Sequence, residues 1–593
     1  MRRWNSRLFH ASILTVVGCL LVAPELHAAT SAFHQVVAFQ NQTPPAGTPG
    51  ERFLSFTYSA VNESGDVAFH GTSIGGTVSS QDGLYVAEVL GPLRSVVRRG
   101  DPAPGVPGAV FDLLGNRPYL DDSGGVGFTA TLLRGTGGVT FDDDRGVWGP
   151  GADGAPVLLV REGQGAAGVM GTFGGSASHV GVLGPAGLAF SDHVLGADGV
   201  LLGHGYWRVL ADASGVSQEL VLFEGDPMPG GPPGAVLTGT ARPHMKALGQ
   251  IAIRAAYSVE GGATRYGIWG PGAEGELAPL ALPGDPIQDA PPGTTYPSLV
   301  SAHPRVNGRG EVAFSFGNRV IGPDGAGGLR LVAGGGQEVP GLPGLEISAA
   351  DPPNLNDAAE ITFRALLFDA ATNEPLAPES EGAIFGPDGA GGVRLVARTG
   401  DAVPGVPDLV MRNFSWPVIN GLGDVAFTAT LFDGAGPEAT AAGQAVFLAT
   451  KAGHLVPVLR SGEVVVVGPG DSRMVVAPRI ADGLNTPDSA RALNDRRQLA
   501  IWTTSLVLRS SVAIPECQNG LDDDGDGGID WDGGAAYHAG VAMAEPDDHC
   551  AGDPGGREAA GCGLGLELAL LWPLVACLRR RTEAADPSGS DPS

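Results

Sequence analysis

The densest group of potential metal ligands in the sequence is the acidic segment PECQNGLDDDGDGGIDWDGG at residues 515–534. The candidate ligands recur at nearly alternate positions, and they are Asp522, Asp524, Asp526, Asp530 and Asp532. Calcium takes about six to eight oxygen ligands around a tight loop, and the D-x-D-x-D-G spacing is that of calcium loops. The segment therefore predicts a structural Ca²⁺ site, with a solvated acidic linker as the alternative.

Cysteines flank this acidic segment. We expect Cys517 and Cys550 to form a disulfide, because exported proteins are oxidised and the sequence offers no better partner for either. An EF-hand is disfavoured, because its twelfth position counted from Asp522 is Gly533 and carries no carboxylate. The segment resembles the calcium repeats of thrombospondin type 3 and related bacterial stalk modules, which implies stiffening of a stalk and no catalysis.

Catalytic constellations are sparse elsewhere. Neither H-E-x-x-H nor C-x-x-C nor a phosphate-binding loop occurs in the chain. Ser191, Asp192 and His193 are adjacent, and neighbours in a strand point to opposite faces, so they are not expected to form a triad among themselves. Three further histidines, His204, His244 and His303, are isolated in sequence, and we expect none of them to bind a metal.

A turn-and-strand signature recurs along the chain and must position whatever site exists. It reads VNESGDVAF at 61–69, VNGRGEVAFSF at 306–316 and INGLGDVAF at 419–427, with looser copies at 120–128, 355–363 and 493–501. Asn at position i and Gly at i+3 suit a tight turn, because Asn caps its own backbone and Gly tolerates the left-handed conformation. The following apolar residues are consecutive, which predicts a strand buried on both faces.

A second motif of the type RRGDPAPGVPG gives the period. Its Gly recurs at 100, 163, 225, 284, 335, 400 and 462, so the repeat is close to 60 residues. Each unit has short apolar runs rich in Val, Phe, Leu and Thr, bounded by Gly, Pro, Asp or Asn, which predicts antiparallel strands. Four-stranded sheets that are buried on both faces and repeated in tandem indicate an all-β propeller.

The number of blades follows from the two ends of the repeat region. Seven units span 52–463, and an eighth, from 464 to 513, lacks its last strand. The run AFHQVVAFQN at 32–41 has the pattern of that missing strand. We therefore predict an eight-bladed propeller closed by pairing of the chain ends, which removes exposed sheet edges. Seven blades, a linear array of small β-domains and a parallel β-helix are the alternatives, in that order.

Repeated polar and aromatic residues are expected to serve the blades. The Gly-Asp motifs place Asp101, Asp226, Asp285 and Asp401 either at one rim of the ring or in turns, and turn formation is the favoured interpretation. Trp148, Trp269 and Trp416 are expected in blade cores at matching positions, with ligand stacking as the alternative.

Composition excludes some partners. The chain has 36 basic and 64 acidic residues and a net charge of −28, which argues against nucleic-acid binding and against adsorption to anionic lipid. The N-terminus reads as a secretory signal at 1–29, with Arg2 and Arg3 before an apolar stretch at 11–23. A lipoprotein-type cleavage at Cys19 is the alternative.

The C-terminus carries a second targeting pattern. The sequence GCGLGLELALLWPLVACLRRR at 561–581 combines Cys562, a short apolar stretch at 563–578 and the cluster Arg579, Arg580 and Arg581. It resembles the tripartite C-terminal sorting signals of Gram-negative bacteria, of the Cys-containing kind found in myxobacteria. That resemblance implies export, cleavage near Cys562 by a sorting protease and attachment at the cell surface. The alternative is a retained tail anchor with the arginines on the cytoplasmic side.

The Asn-x-x-Gly-x-x-Ala-Phe repeat, which covers about 450 residues, resembles the bacterial secreted tandem-repeat proteins that carry variable C-terminal anchors. This resemblance implies export and anchoring and assigns no catalytic residue.

The sequence thus predicts a signal peptide at 1–29, a propeller at 30–514, an acidic stalk at 515–556, a sorting or anchor segment at 557–582 and a polar tail at 583–593. We expect an exported, outer-membrane or surface-anchored module that binds or scaffolds an envelope glycan or a surface protein and contacts membrane only through its C-terminal anchor. A propeller hydrolase or lyase with its active site in the channel is the alternative, and a passive envelope component is a third possibility.

Overall fold

The computed structural model describes one compact unit, Ser31–Ala513. Within this unit the residues at 90, 176–178, 185–186, 213–214, 242, 246–249, 373, 377–381 and 482–491 are not described. Strands account for nearly all regular structure in the described part, and the 3₁₀ turn Phe141–Asp143 is a short exception. In the same part of the chain, no helix has the length and apolar character needed to cross a membrane.

The strands form an eight-bladed β-propeller, as the repeat count predicts. Blades 1 and 2 contain β2 (Glu51–Val61), β3 (Val67–Gly75), β4 (Val78–Ala87) and β5 (Leu93–Arg98), then β6 (Phe111–Leu114), β7 (Tyr119–Leu120), β8 (Val126–Leu132), β9 (Arg145–Pro150) and β10 (Pro156–Arg161). Blades 3 and 4 contain β11 (Thr172–Phe173), β12 (His179–Gly184), β13 (Gly187–Leu195), β14 (Leu201–Asp212) and β15 (Gly215–Phe223), then β16 (Ala235–Gly239), β17 (His244–Met245), β18 (Ile251–Val259), β19 (Arg265–Pro271) and β20 (Leu277–Ala281).

The second half of the ring repeats this plan. Blades 5 and 6 contain β21 (Arg305–Val306), β22 (Val312–Phe316), β23 (Arg319–Pro323) and β24 (Leu329–Gly334), then β25 (Glu338–Val339), β26 (Leu342–Ala350), β27 (Asn354–Leu355), β28 (Ile361–Asp369), β29 (Glu374–Pro375), β30 (Gly382–Pro387) and β31 (Val393–Arg398). Blade 7 contains β32 (Val410–Arg412), β33 (Val418–Ile419), β34 (Val425–Phe432), β35 (Ala441–Ala449) and β36 (Leu455–Arg460). The hairpin of β37 (Val464–Gly468) and β38 (Asp471–Met474) precedes blade 8, which contains β39 (Gln498–Trp502), β40 (Leu506–Ala513) and β1 (Ser31–Phe39).

The first strand of most blades is interrupted and lies nearest the ring axis. In blade 2, for example, β6 and β7 both pair with β8, so they are two pieces of one strand. The second pieces contact their counterparts in neighbouring blades around the ring: β7, β12, β17, β21, β27 and β33. Neighbouring blades approach one another most closely at the axis, so the first strands line the central channel.

Consecutive apolar residues in the second strand of each blade are buried on both faces, as predicted. Val67, Ala68 and Phe69 in β3 are each 0% exposed. The cores form between blades rather than within one sheet: Val147 of blade 2 packs in one cluster with Phe190 and Trp207 of blade 3. Each blade therefore depends on both of its neighbours for burial of its apolar surface.

The two ends of the unit close the ring. Strand β1 pairs antiparallel with β40 along its whole length, from Ser31 opposite Ala513 to Phe39 opposite Leu506. It is thus the outermost strand of blade 8, next to β40 and β39. The predicted pairing of the chain ends is confirmed.

The recurring Asn has two structural roles. Its Oδ1 caps the turn, since in blade 5 the Asn307 oxygen accepts from the backbone N–H of Arg309 (3.0 Å) and of Glu311 (2.9 Å). This confirms the predicted cap. Its Nδ2 also donates across the blade boundary, to the backbone oxygen of Asn356 in blade 6 (3.0 Å).

This cross-blade bond repeats through much of the ring. Donation runs from Asn356 to the oxygen of Asn420 (2.9 Å), from Asn420 to Asn494 (3.0 Å), from Asn494 to Asn62 (2.8 Å) and from Asn62 to Asp121 (3.0 Å). We call these five residues, Asn307, Asn356, Asn420, Asn494 and Asn62, the asparagine ring. The signature therefore serves assembly of the ring, because it joins neighbouring blades near the axis.

Buried histidines make the stability of the propeller sensitive to pH. Burial lowers the pKa of His34, and it lowers the pKa of His70 despite the opposing effect of the Asp82 carboxylate. A lowered folded-state pKa means that the stabilising contribution is complete above the ordinary histidine value of about 6.5 and is lost as pH falls through the folded-state value. We expect the melting temperature to fall as pH is lowered from about 7.5 to 5.

A His70→Gln variant tests the origin of this pH effect. Glutamine can keep a hydrogen bond to the Thr57 hydroxyl, which lies 2.9 Å from His70 Nδ1, but it does not titrate. The pH dependence of the variant's melting temperature, measured by calorimetry, should be shallower than that of the wild type. An unchanged slope would contradict the assignment.

Candidate functional site

The predicted calcium, disulfide and processing residues lie outside the described part of the chain. They are Asp522, Asp524, Asp526, Asp530 and Asp532, the pair Cys517 and Cys550, and the C-terminal residues Cys562, Arg579, Arg580 and Arg581. These assignments stay predictions. Within the described residues, no group of three or more His, Cys, Asp or Glu side chains is arranged to hold a metal ion.

The repeated Gly-Asp carboxylates form turns, as the favoured interpretation predicts. Asp101 Oδ2 accepts from the backbone N–H of Arg98 at 2.7 Å, and Asp226 accepts in the same way from Phe223 at 2.8 Å. Asp285 and Asp401 repeat this bond to residues three positions earlier, Leu282 (3.0 Å) and Arg398 (2.7 Å). These aspartates therefore fix the connection between blades.

The tryptophan prediction is correct for Trp148 and Trp269 but wrong for Trp416. Trp148, Trp207 and Trp269 occupy the third strands of blades 2 to 4, are each 0% exposed and donate their indole N–H to the loop that enters their blade. Trp416 lies instead between β32 and β33 in a first strand and is half-buried. Its local sequence is apolar and strand-like, as in the other two, but its place in the repeat differs.

Two sequence patterns that contain serine, one at Ser73 and one at Ser191, have structural roles in their strands. Ser73 matches a G-x-S-x-G spacing with Gly71 and Gly75, yet it is fully buried within β3 and donates to Glu51 Oε1 at 2.5 Å. A nucleophile of this type sits exposed on a strand-to-helix turn, so Ser73 does not fit. In β13, Ser191 and Asp192 are buried, and Asp192 Oδ1 accepts from the backbone N–H of the adjacent His193 at 2.8 Å.

The first strands of the blades place dissimilar side chains at one repeat position. Four residues before the Asn position stand Tyr58 in blade 1, Arg117 in blade 2, His303 in blade 5 and Trp416 in blade 7. Each of these side chains is half-buried or exposed, although the residue that follows this position is buried in all four blades. Because the first strands line the channel, these four residues lie beside it.

A second variable position lies in the second strand, directly after the Phe or Ile of the turn-and-strand signature. Side chains at this position contact residues of the next blade. Trp502 of blade 8 stacks on Tyr58 of blade 1, with ring centroids 5.1 Å apart and an interplanar angle of 20°. The guanidinium of Arg117 in blade 2 lies 4.5 Å from the centroid of the same Tyr58 ring. Three successive blades therefore meet in one cation–aromatic stack at the seam where the ring closes.

The same geometry recurs on the other side of the ring. The guanidinium of Arg364 in blade 6 lies 5.0 Å from the Trp416 ring centroid in blade 7. Its Nη1 donates to the backbone oxygen of Phe414 at 2.7 Å, and its Nε donates to Asp351 at 2.6 Å. Arg254 of blade 4 similarly donates to the Val300 oxygen of blade 5, and burial lowers the pKa of Arg254.

The exposed residue Arg479 pairs with Trp502 through its backbone. We call the following eight residues the channel belt: Tyr58, Arg117, Arg254, His303, Arg364, Trp416, Arg479 and Trp502. The belt concentrates four arginines and three large aromatics in a chain with net charge −28. Aromatic faces and guanidinium donors are suited to binding a flat, hydroxylated or carboxylated ligand. Sequence reasoning missed the belt, although variation at one position of an otherwise uniform repeat is a usable signal.

Most of the chain matches the model of one protein family. The model of the Family of unknown function (DUF7453) matches residues 26–207 and 289–520, which is more than half of the chain. The chain is a member of DUF7453. The two matched ranges of this DUF7453 member cover all five residues of the asparagine ring and include the channel-belt residues of blades 1, 2, 5, 6, 7 and 8.

Solved structures similar to this DUF7453 member have low identity. An alpha-L-arabinanase of Penicillium chrysogenum complexed with arabinobiose is 13% identical, with 58% of this chain and 100% of that chain covered and a TM-score of 0.25. A gluconolactonase from Xanthomonas campestris is 13% identical, with coverages of 57% and 97% and a TM-score of 0.20. The periplasmic gluconolactonase of Pseudomonas aeruginosa is 16% identical, with coverages of 72% and 99% and a TM-score of 0.22. Similarity at this level assigns no activity, and no curated protein matches the chain.

Proposed function

We propose that this protein is an exported, surface-anchored β-propeller that binds a glycan of the cell envelope at its channel belt. The observation that carries the proposal is the set of half-buried or exposed side chains at one position of the first strands, which are Tyr58, Arg117, His303 and Trp416. A purely structural position in a repeat would be expected to keep one residue type, as the Asn position largely does. The residue type four positions before the Asn instead varies from blade to blade. Such variation allows a symmetric ring of blades to contact the different parts of an asymmetric ligand.

The chemistry of the belt favours a carboxylated sugar over a neutral one. A sugar ring can pack its C–H face on Trp416, while the guanidinium groups donate charge-assisted hydrogen bonds to a carboxylate. The overall charge of −28 would repel an anionic chain at long range, so the local arginines must provide the attraction. We therefore expect uronate-containing glycans to bind more tightly than neutral ones and the binding to weaken with salt.

Export and anchoring belong to the same proposal. The signal-like segment at 1–29 supports export, and the segment at 557–582 supports attachment at the envelope. We also propose that the acidic segment at 515–556 binds Ca²⁺, on the basis of its D-x-D-x-D-G spacing. In this proposal the terminal segments direct the protein to the cell envelope, and the channel belt binds the glycan.

A glycan array probed with the full chain tests the proposal. We expect binding to one or more acidic glycans, and we expect Trp416→Ala to weaken that binding by about tenfold or more, since truncated aromatic anchors are typical binding hot spots. The matched control is Phe141→Ala. Phe141 is 66% exposed, and the guanidinium of Arg134 lies 4.6 Å from its ring centroid, but Phe141 lies in the 3₁₀ turn between β8 and β9 and not in a first strand.

Three outcomes would count against glycan binding at the belt. They are absence of any glycan hit, equal losses in Trp416→Ala and Phe141→Ala, and full binding by Trp416→Ala. Recovery of the bound glycan in cleaved form would favour a propeller hydrolase instead.

A further inference from the structure

Two histidines that do not belong to the channel belt lie side by side in blade 3. His193 of β13 is the register partner of His204 of β14, and their ring centroids are 6.1 Å apart. Directly opposed residues on antiparallel strands point to the same face, so both imidazoles share one side of the sheet. Although His204 is isolated in the sequence, strand pairing brings it beside His193, which is 11 positions away.

The pair is accessible and oriented. The His193 and His204 side chains are 34% and 44% exposed. Glu224 Oε2 lies 3.1 Å from His204 Nδ1 and also accepts from the His204 backbone N–H at 3.0 Å. A carboxylate at Nδ1 holds the proton there and leaves the Nε2 lone pair available, which is the arrangement of metal-binding histidines.

Glycines make room for the second imidazole. A Cβ at Gly174 would lie 2.8 Å from His193 Nε2, and a Cβ at Gly175 would lie 2.9 Å from His193 Nδ1. The His193 ring therefore packs against Gly174 and Gly175, and Asp192 Oδ1 lies 3.4 Å from its Nδ1. A neutral imidazole is the form that binds metal ions.

We propose that His193 and His204 together bind one borderline transition-metal ion such as Zn²⁺ or Cu²⁺, with water completing the coordination and Glu224 as the orienting carboxylate. Two imidazoles on one tetrahedral ion place their centroids about 5 Å apart, given Zn–N bonds of about 2.0–2.1 Å. A shift of about 1 Å from the present 6.1 Å, within the reach of rotamer adjustment, is sufficient. The ion would tie β13 to β14 without using any residue of the channel belt.

Calorimetric titration of the full chain with Zn²⁺ tests the site. The double variant His193→Gln, His204→Gln should bind one equivalent less than the wild type, whereas His454→Gln, a matched histidine change in blade 7, should leave the stoichiometry unchanged. Glu224→Gln should keep the equivalent but weaken it by about 10–100-fold, as loss of an orienting carboxylate does. Binding should weaken as pH falls below about 6.5, because protons compete for the imidazoles.

A second measurement needs no substitution. Electron paramagnetic resonance of the wild-type chain with one equivalent of Cu²⁺ should show hyperfine coupling to two imidazole nitrogens. Equal zinc stoichiometry in the double variant and the wild type would overturn the proposal, as would a copper spectrum without nitrogen coupling. Failure of glycan binding would not affect either result, so this site and the proposed function are tested separately.

Discussion

Deletion of residues 31–39 is expected to abolish cooperative folding of the propeller. These residues form β1, which pairs with β40 from end to end and is the outer strand of blade 8. Without β1, the N–H and C=O groups of β40 that face outward would form an open edge, and such edges promote association with other chains. The ring would also lose its only described strand pairing between the two ends of the unit, Ser31–Ala513.

The expected loss exceeds that of an ordinary terminal truncation. Val36 and Ala38 of β1 are packed inside blade 8, and Ala38 is 0% exposed. The Arg509 guanidinium bonds to Gln35 of β1, and its Nη1 donates to Gly65 of blade 1 at 2.5 Å, so the deletion disturbs the seam as well. Size-exclusion chromatography and urea unfolding should show aggregated or broadly unfolding protein instead of a sharp transition.

A permuted chain is the control for this deletion. Because Ser31 stands directly opposite Ala513, a two-residue Asn-Gly turn can join them as a hairpin. A chain of residues 40–513 followed by Asn-Gly and residues 31–39 keeps the strand and moves the chain ends. We expect the permuted chain to recover the sharp urea transition of the unit 31–513. A deletion variant as stable and monomeric as the wild type would contradict closure by β1.

Closure of the ring could be predicted because the repeats and their strands can be counted in the sequence. Turn capping could be predicted because it involves residues that are close together in the sequence. The blade number followed from a fixed period and from one missing strand, and the run at 32–41 matched that strand in pattern. The Asn cap followed from the chemistry of one turn, since Oδ1 of Asn62 meets a backbone N–H only four residues away, at Asp66 (2.8 Å). The left-handed residue of this turn is even kept where Gly is replaced, at Ala359 and Arg497.

Contacts between blades could not be predicted in the same way. The stack of Trp502, Tyr58 and Arg117 joins residues from three blades, and which side chains meet depends on the rotation from each blade to the next. The pairing of His193 with His204 depends on strand register, which a single sequence does not fix to one residue. Trp416 was placed wrongly for the same reason, since its local pattern does not distinguish a first strand from a third.

The substitution Asn494→Ala is expected to destabilise the propeller strongly at its seam. Asn494 is 0% exposed, and its Nδ2 donates to the Asn62 oxygen of blade 1 (2.8 Å) and to Gln498 Oε1 (2.9 Å). Its Oδ1 caps the turn by accepting from the backbone N–H of Arg496 (3.0 Å) and of Gln498 (2.9 Å). Removing the amide leaves buried polar groups without partners, and we expect the free energy of unfolding to fall by about 3 kcal/mol.

The neighbouring residue provides a matched control. Asp495 is exposed and accepts a hydrogen bond from the backbone N–H of Gly421 in blade 7 at 2.5 Å, across the other boundary of blade 8. Water can replace that acceptor, so Asp495→Ala should change the free energy of unfolding by less than about 1 kcal/mol. Hydrogen exchange should locate the difference, with amides of β1 and β40 exchanging faster in Asn494→Ala and those of blade 3 less affected, because Asn494 joins the last blade to the first. Equal effects of the two substitutions would show that the asparagine ring does no more than an exposed turn contact.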